Sequence, residues 1–351
     1  MTKMEAGWQV AVVNWEEGDG ISSVLHDELR ALGYGTFFVS PNEVIPQQTD
    51  VLLTFGPYGR LLPLLSQLEK IPVGERPLSI HWNTEGIPDP RIPWLILKPL
   101  ALMRSQLDFH LNHSSSSLYP LRHQKPFSLL ENRIRRFRYL GDMAIAMKRN
   151  WIQIYADTSF VYTQWRNKHG LPTTFMPWGS APHWYADLQL TRDIDVLWMG
   201  KRASKRRSDL LDHVRHQLAQ QGVQMYLADN EEHPFIFDEE RTEILNRSKI
   251  TLNLTRTWYD DNFSRFALAI PNRSLIVSEP VLGHCPYFEA GVHYVSTPPE
   301  TLASQIMYYL EHEVERLKIV EQGYELLTTQ LTLRTGLHNL MMQAQHINHP
   351  A

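Results

Sequence analysis

The chain has 351 residues, more than one ordinary core serves, so two domains of similar size are expected. Hydrophobic residues make up 43% and the formal net charge is -4, which excludes a disordered chain and any whole-chain attraction to nucleic acid or anionic lipid. A single cysteine, Cys285, excludes an internal disulfide framework and a Cys/His zinc spacing, and it suits a reducing compartment. Met1 to Gly7 carries Lys3 and Glu5 and lacks the form of a signal peptide, and no apolar stretch approaches membrane-spanning length. The expectation is a cytoplasmic protein.

Trp8 to Val13 reads as the first strand, Ile21 to Leu32 as a helix with Val24, Leu25, Leu29 and Leu32 on one face, and Thr36 to Val39 as the next strand. This β-α-β opening implies a parallel, doubly wound sheet. The Gly18-Asp19-Gly20 turn falls at the carboxyl edge of its first strand, where such sheets take ligands, although the glycine spacing is not a dinucleotide fingerprint. Asp50 to Phe55 and Leu78 to Trp82 continue the strand series. Glu85 follows in a loop stiffened by Pro88 and Pro90, a place suited to a general base facing a ligand; a solvated loop glutamate is the plainer reading.

Ser128 to Glu131 has the form of a capping box, opening a helix that carries Leu130, Ile134, Phe137, Leu140 and Met147. Arg133, Arg135, Arg136, Arg138, Lys148 and Arg149 crowd around them, so the 128–149 segment reads either as a packed helix with a solvated face or as a contact for an anionic membrane or nucleic acid. Phe160 to Thr163 begins another α/β repeat that ends at Thr174 to Gly179, and the crossing to a second domain is expected near Asp187.

The second half is organised around Ile194 to Leu211. Asp195 to Met199 is an apolar, buried-strand pattern that ends at Gly200. Lys201, Arg202, Lys205, Arg206 and Arg207 follow, before the helical spacing of Leu210, Leu211 and Val214. Strand, glycine, cation-rich turn and helix start make an anion site, because unpaired backbone N–H groups and the helix dipole lie beside guanidinium groups. Further strands read at Val223 to Leu227, Ile250 to Leu254, Leu275 to Glu279 and His293 to Val295, with helices to the end of the chain. Asp193 and Asp195 spell a DxD pair, but strand alternation marks Asp195 as structural. The fold class is therefore α/β, two doubly wound Rossmann-like domains facing across a cleft, spanning 1–187 and 188–327, with a helical tail at 328–351.

The order of elements resembles the GT-B glycosyltransferases. Asn246 to Leu254, Tyr309 to Arg316 and Glu321 to Tyr324 are similar to the group 1 enzymes related to CgeB proteins. A fainter similarity, to phage DNA β-glucosyltransferase, rests on Gly200 with Arg202 and Arg206 four residues apart, on Glu85 after a first-domain strand, and on Asp261-Asn262-Phe263. What the resemblance implies is sugar transfer from a nucleotide donor. Its diphosphate would be held by Gly200, Arg202 and Arg206, with Lys205 as an alternate and with no metal or other cofactor. Glu85, or Asp19 as second choice, would deprotonate the acceptor hydroxyl, with inversion at the anomeric centre. Asp261, Asn262, Phe263 and Arg265 would line the donor side. Group 1 enzymes carry a glutamate for the nucleotide ribose where this chain has Phe266, Ala267 or Leu268, which leaves Glu279 and Glu289 for that contact. The competing reading is a non-catalytic GT-B scaffold that binds a nucleotide or glycan. The acceptor stays open among a glycan, a lipid-linked sugar, a protein and a nucleic acid.

Overall fold

The structure, a computed structural model, describes residues 7–15, 20–56, 61–113, 116–130, 134–261, 263–281, 283 and 285–348. It divides into two compact units, Met1–Met176 with Leu337–Ala351, and Pro177–Gly336. The division falls ahead of the expected crossing near Asp187, and the end of the chain, expected as a separate tail, belongs to the first unit. Thr174 there donates from its hydroxyl to Gln343 at 2.9 Å, tying the last helix to an edge strand.

The first unit is built on β1 (Gln9–Val13), β2 (Gly35–Val39), β3 (Val51–Phe55), β4 (Leu78–Asn83), β5 (Ile154–Asp157) and β6 (Thr174–Phe175), all parallel in the order β2-β1-β3-β4-β5-β6. Helices α1 (Gly20–Ala31), α2 (Leu61–Leu65), α3 (Trp94–Asn112), α4 (Phe127–Leu130), α5 (Arg135–Lys148) and α6 (Phe160–Lys168) connect them. The sequence reading missed β5. It ends on Asp157, which accepts the Ser159 N–H at 2.7 Å, and the Ser159 side chain in turn accepts the Tyr162 N–H. That cap turns the apolar run Phe160 to Thr163 into the start of α6 rather than a strand.

The basic segment also differs from expectation. Residue 134 is left-handed, with φ 48°, and the helix begins at Arg135; Glu131 and Arg133 lie outside the described residues. Its apolar side is occupied, because Leu140, Met143 and Ala146 are buried and α5 packs along α3. Gly141 permits that close approach, since a Cβ there would run into the Ala101 carbonyl. The buried side of α5 is thus taken up by α3, while Phe137, Ile145 and Met147 are half-buried.

The second unit holds β7 (Ile194–Met199), α7 (Lys205–Ala219), β8 (Met225–Ala228), α8 (Asp238–Arg247), β9 (Ser248–Asn253), α9 (Ser264–Ala269), β10 (Leu275–Ser278), β11 (Val295–Ser296), α10 (Leu302–Glu311) and α11 (Glu313–Glu325), before α12 (Leu333–Asn348). Its parallel sheet runs β11-β10-β9-β7-β8. Val196, Trp198 and Leu252 from the sheet meet Leu211, Val214 and Leu218 at helical spacing on α7, and Leu302 and Ile306 of α10 complete the same cluster. Each such side chain contributes about 1.5–3 kcal/mol on burial, so the central strand ends are rigidly held.

Candidate active site

Where neighbouring strands of a doubly wound sheet lead their connections to opposite sides, the carboxyl ends leave a crevice. In the second unit β7 leads to β8 on one side while β9 pairs on the other, so the crevice lies between Met199 and Asn253. Arg265, from the first turn of α9, occupies it. Its Nε donates to the Met199 carbonyl at 2.9 Å, its Nη1 to Asn253 Oδ1 at 3.1 Å, and the guanidinium lies 4.4 Å from the centre of the Trp198 ring. Gly200 has φ +111°, and a Cβ there would come within 3.1 Å of Arg265 Nη2. Both the left-handed backbone and the approach of the cation require glycine at this turn.

No carboxylate among the described residues forms an ion pair with Arg265. Burial first, and then the positive charges of Arg207 and Arg256, lower its pKa from 12.5 to about 9. Arg207 is itself buried, donates to the Lys201 carbonyl at 3.1 Å, and is lowered to about 10, chiefly by burial and next by Arg256. Positive charge sheltered in this way is unfavourable by itself, and an anion bound beside Arg265 and Arg207 relieves it.

Arg206 borders the same region and is anchored. It grips both oxygens of Glu279 and donates to the Thr255 carbonyl at 3.2 Å. Glu279 also accepts the Thr255 N–H at 2.6 Å and hydroxyl at 3.0 Å, and its side chain is 3% exposed. That carboxylate is saturated, which turns it from an expected ribose contact into the brace that orients Arg206.

Two of the expected diphosphate ligands have other work. Arg202 donates to Asp229 at 2.8 Å and to Asp212 at 2.6 Å, and it pairs with Glu231 at 3.3 Å. Three carboxylates neutralise it and fix the loop after β8. Lys205 is 87% exposed and pairs with Asp209 one helical turn on. Asp193 and Asp195 pair with Arg247 at 2.7 Å and Lys249 at 2.6 Å, so the DxD spelling is used by the scaffold.

A second feature lies at Gly283 to Tyr294. Phe263, Cys285, Tyr287, Phe288, Glu289 and His293 line an open pocket of about 590 Å³, with Phe263 stacked on Phe288 at 5.1 Å. The Glu289 N–H donates to His293 Nδ1 at 3.0 Å, which leaves the proton of the neutral ring on Nε2. Burial pushes the Cys285 thiol up and His293 down, the latter against the pull of Glu289. Glu289 has an exposed side chain, and Asp261 is half-buried. Asn262 lies outside the described residues.

In the first unit Glu85 is half-buried just past β4, its carbonyl accepting from Asn83 Nδ2 at 2.6 Å. The same amide donates to Asp157, which Arg166 pairs. This buried network stiffens the loop that carries Glu85. The Tyr139 hydroxyl is raised mainly by burial, with Glu85 adding to the shift. Behind it a cavity of about 10 Å³ is lined by His81, Asn83, Tyr139, Asp142 and Tyr155. His81 bonds Thr54 at 2.8 Å and is lowered by burial to about 3, while burial raises Asp142 to about 7. Asp19 lies outside the described residues, between β1 and α1. The sequence reading missed His81, Asn83, Asp142, Asp157 and Arg256; an Asp or Asn ending an apolar strand is the one signal, and it marks only Asn83 and Asp157.

Comparison with known proteins then gives this geometry a setting. Residues 202–341 match the family model described as glycosyl transferase-like. No curated protein sequence matches the chain. Among solved structures it is similar to sucrose-phosphate synthase of Thermosynechococcus elongatus, with TM-score 0.61 and 12% identity, covering 98% of this chain and 100% of that one. It is also similar to Anabaena HepE in complex with UDP and glucose, with TM-score 0.58 and 10% identity over 97% and 99% of the two chains. HepE in complex with UDP-glucose gives 0.57 and 9% over 96% and 99%. At these identities the likeness is one of fold, and the fold is GT-B.

Proposed function

We propose that the chain moves a sugar from a nucleoside diphosphate donor to an acceptor hydroxyl, a reading supported by the match of residues 202–341 to the glycosyl transferase-like model and by the GT-B fold. The observation that carries this is Arg265, a half-buried guanidinium at the switch point between β7 and β9 that pairs with no carboxylate among the described residues and whose pKa is lowered by burial and then by Arg207 and Arg256. The diphosphate binds there, with Arg206 on its braced mount as a second ligand and Gly200 giving the close approach. Those cations stabilise the charge that builds on the departing phosphate oxygens, and preorganised donors serve this without rearrangement. No step needs a metal.

The open pocket at Phe263, Tyr287 and Glu289 takes the rest of the donor, with Glu289 as the acid left for the ribose contact. Glu85, on its stiffened loop, accepts the proton of the acceptor hydroxyl as the new bond forms, so transfer is a single displacement with inversion. UDP-glucose is the first donor to try, because it is named with a neighbour of the same fold. The acceptor is a glycan, a lipid-linked sugar, a protein or a nucleic acid.

The test is a panel of UDP-, GDP-, ADP- and dTDP-sugars, scored by thermal shift and by release of nucleoside diphosphate. Shift together with release is the expected result. Shift without release for any acceptor or for water favours the alternative of a binding scaffold, and neither would end the donor-site reading.

A further inference from the structure

Helix α3 is turned the opposite way to an ordinary surface helix. Its 3.6-residue repeat puts Leu97, Ala101, Arg104, Ser105 and Asp108 on the buried side. There Arg104 pairs with Asp108 at 3.2 Å, and Ser105 bonds Asp142 of α5. The opposite sector carries Leu95 at 88% exposure, Ile96 at 53%, Met103 at 62% and Leu100 at 39%, with exposed Pro99 among them. Polar groups face in and a row of large apolar side chains faces out. Nothing in the packing of the unit explains that arrangement, and a contiguous exposed apolar row marks a contact surface.

The charge around this row selects what it meets. Residues 91–149 contain eleven Lys and Arg against three Asp and Glu, in a chain whose net charge is -4, and of these Arg104 and Arg138 turn inward to Asp108 and Asp142. Lys98 stands exposed at the edge of the row, and the turn Tyr119–Leu121, which packs on α3, leads to exposed Lys125. A second copy would bring an equally cationic segment against this one and be repelled. The row is an exposed ridge of side chains along one helix face. No described helix is long and apolar enough to cross a membrane.

We propose that α3 lies on the surface of an anionic bilayer, with Leu95, Ile96, Leu100 and Met103 inserted among the acyl chains and the surrounding lysines and arginines on the headgroups. The contact belongs to α3 and not to the neighbouring α5, whose buried side is taken up by α3. It is independent of the sugar-transfer reading, since nucleotide binding by the second unit does not require it.

The full chain is floated with vesicles of phosphatidylcholine alone, and with vesicles that also contain phosphatidylglycerol, at low and high salt. It is expected to float with the anionic vesicles only, and less at high salt. A Leu95→Ser/Met103→Ser variant is expected to lower the partition at least about tenfold, the ratio that corresponds to losing one inserted side chain. Its melting temperature and nucleotide binding stay unchanged, because both side chains are already exposed. Two results overturn the proposal: failure of the unaltered chain to float with anionic vesicles, or flotation of the variant equal to it. Sedimentation showing a dimer that the variant dissolves, without vesicle binding, assigns the ridge to a second copy and also overturns it.

Discussion

An Arg265→Met variant separates two tasks that an arginine at a strand switch point can have. An arginine that serves the fold destabilises it when lost, whereas one held for an anion leaves the fold nearly as it was and empties the site. Arg265 is lowered from 12.5 to about 9 by burial and by Arg207 and Arg256. At about 1.4 kcal/mol per unit, the charged form stands against roughly 5 kcal/mol of unfavourable surroundings. Methionine removes that burden and fills much of the volume. It gives up hydrogen bonds to the Met199 carbonyl and Asn253 Oδ1 and the contact with Trp198. Those are about 1 kcal/mol each, with about 1–3 more wherever an acceptor is left buried and unpaired. The two sides offset to within about 4 kcal/mol, so the melting temperature without ligand should fall by no more than about 10 °C. A charge-assisted hydrogen bond to a phosphate oxygen contributes about 1.5–3 kcal/mol, so calorimetric affinity for UDP should drop roughly ten- to 150-fold. A melting temperature more than about 10 °C lower, with UDP affinity unchanged, would refute the reasoning.

Three further outcomes follow from the same geometry. Arg202→Ala should cost about 2–4 kcal/mol in urea unfolding, because Asp229 is left buried without its cation, while UDP affinity stays within about twofold. An equally stable variant with weakened UDP binding would return Arg202 to the donor site. Glu85→Gln should keep UDP binding and lose product formation at least about a hundredfold, measured by release of sugar onto the acceptor; full activity would remove Glu85 as the base. Asp142 has a folded-state pKa near 7, raised by burial above its ordinary 3.8. The proton it holds favours the folded chain at low pH, and this contribution drains away as pH rises towards 7. Melting scans should therefore show Asp142→Asn gaining on the unaltered chain between about pH 4 and pH 7, and parallel curves would contradict the buried-acid assignment.

What could be read from the sequence follows from which forces are local. The apolar runs ending at Met199, Asn253 and Ser278 are strands by their own composition, and the β-α-β opening is enough to imply a parallel sheet. Strand β5 was hidden because the apolar run at Phe160 looked stronger than Ile154–Asp157, and only the Ser159 cap separates strand from helix. The Gly200, Arg202 and Arg206 spacing suggested two phosphate ligands on one turn. A sequence shows cations but not their partners, and Asp229, 27 residues later, claims Arg202. Arg265 becomes central through the pairing of β7 with β9, strands that are not consecutive in the chain. Helix α3 carries no clean apolar period because Arg104 and Asp108 occupy its buried face, where burial is made tolerable by their pairing.

A crystal structure of the chain with bound UDP tests the central claim most directly. The account predicts a diphosphate oxygen within hydrogen-bond distance of the Arg265 guanidinium, at the carboxyl ends of β7 and β9, close against Gly200. Finding the diphosphate on Arg202 or Lys205, with Arg265 still bonded only to the Met199 carbonyl and Asn253, would contradict it.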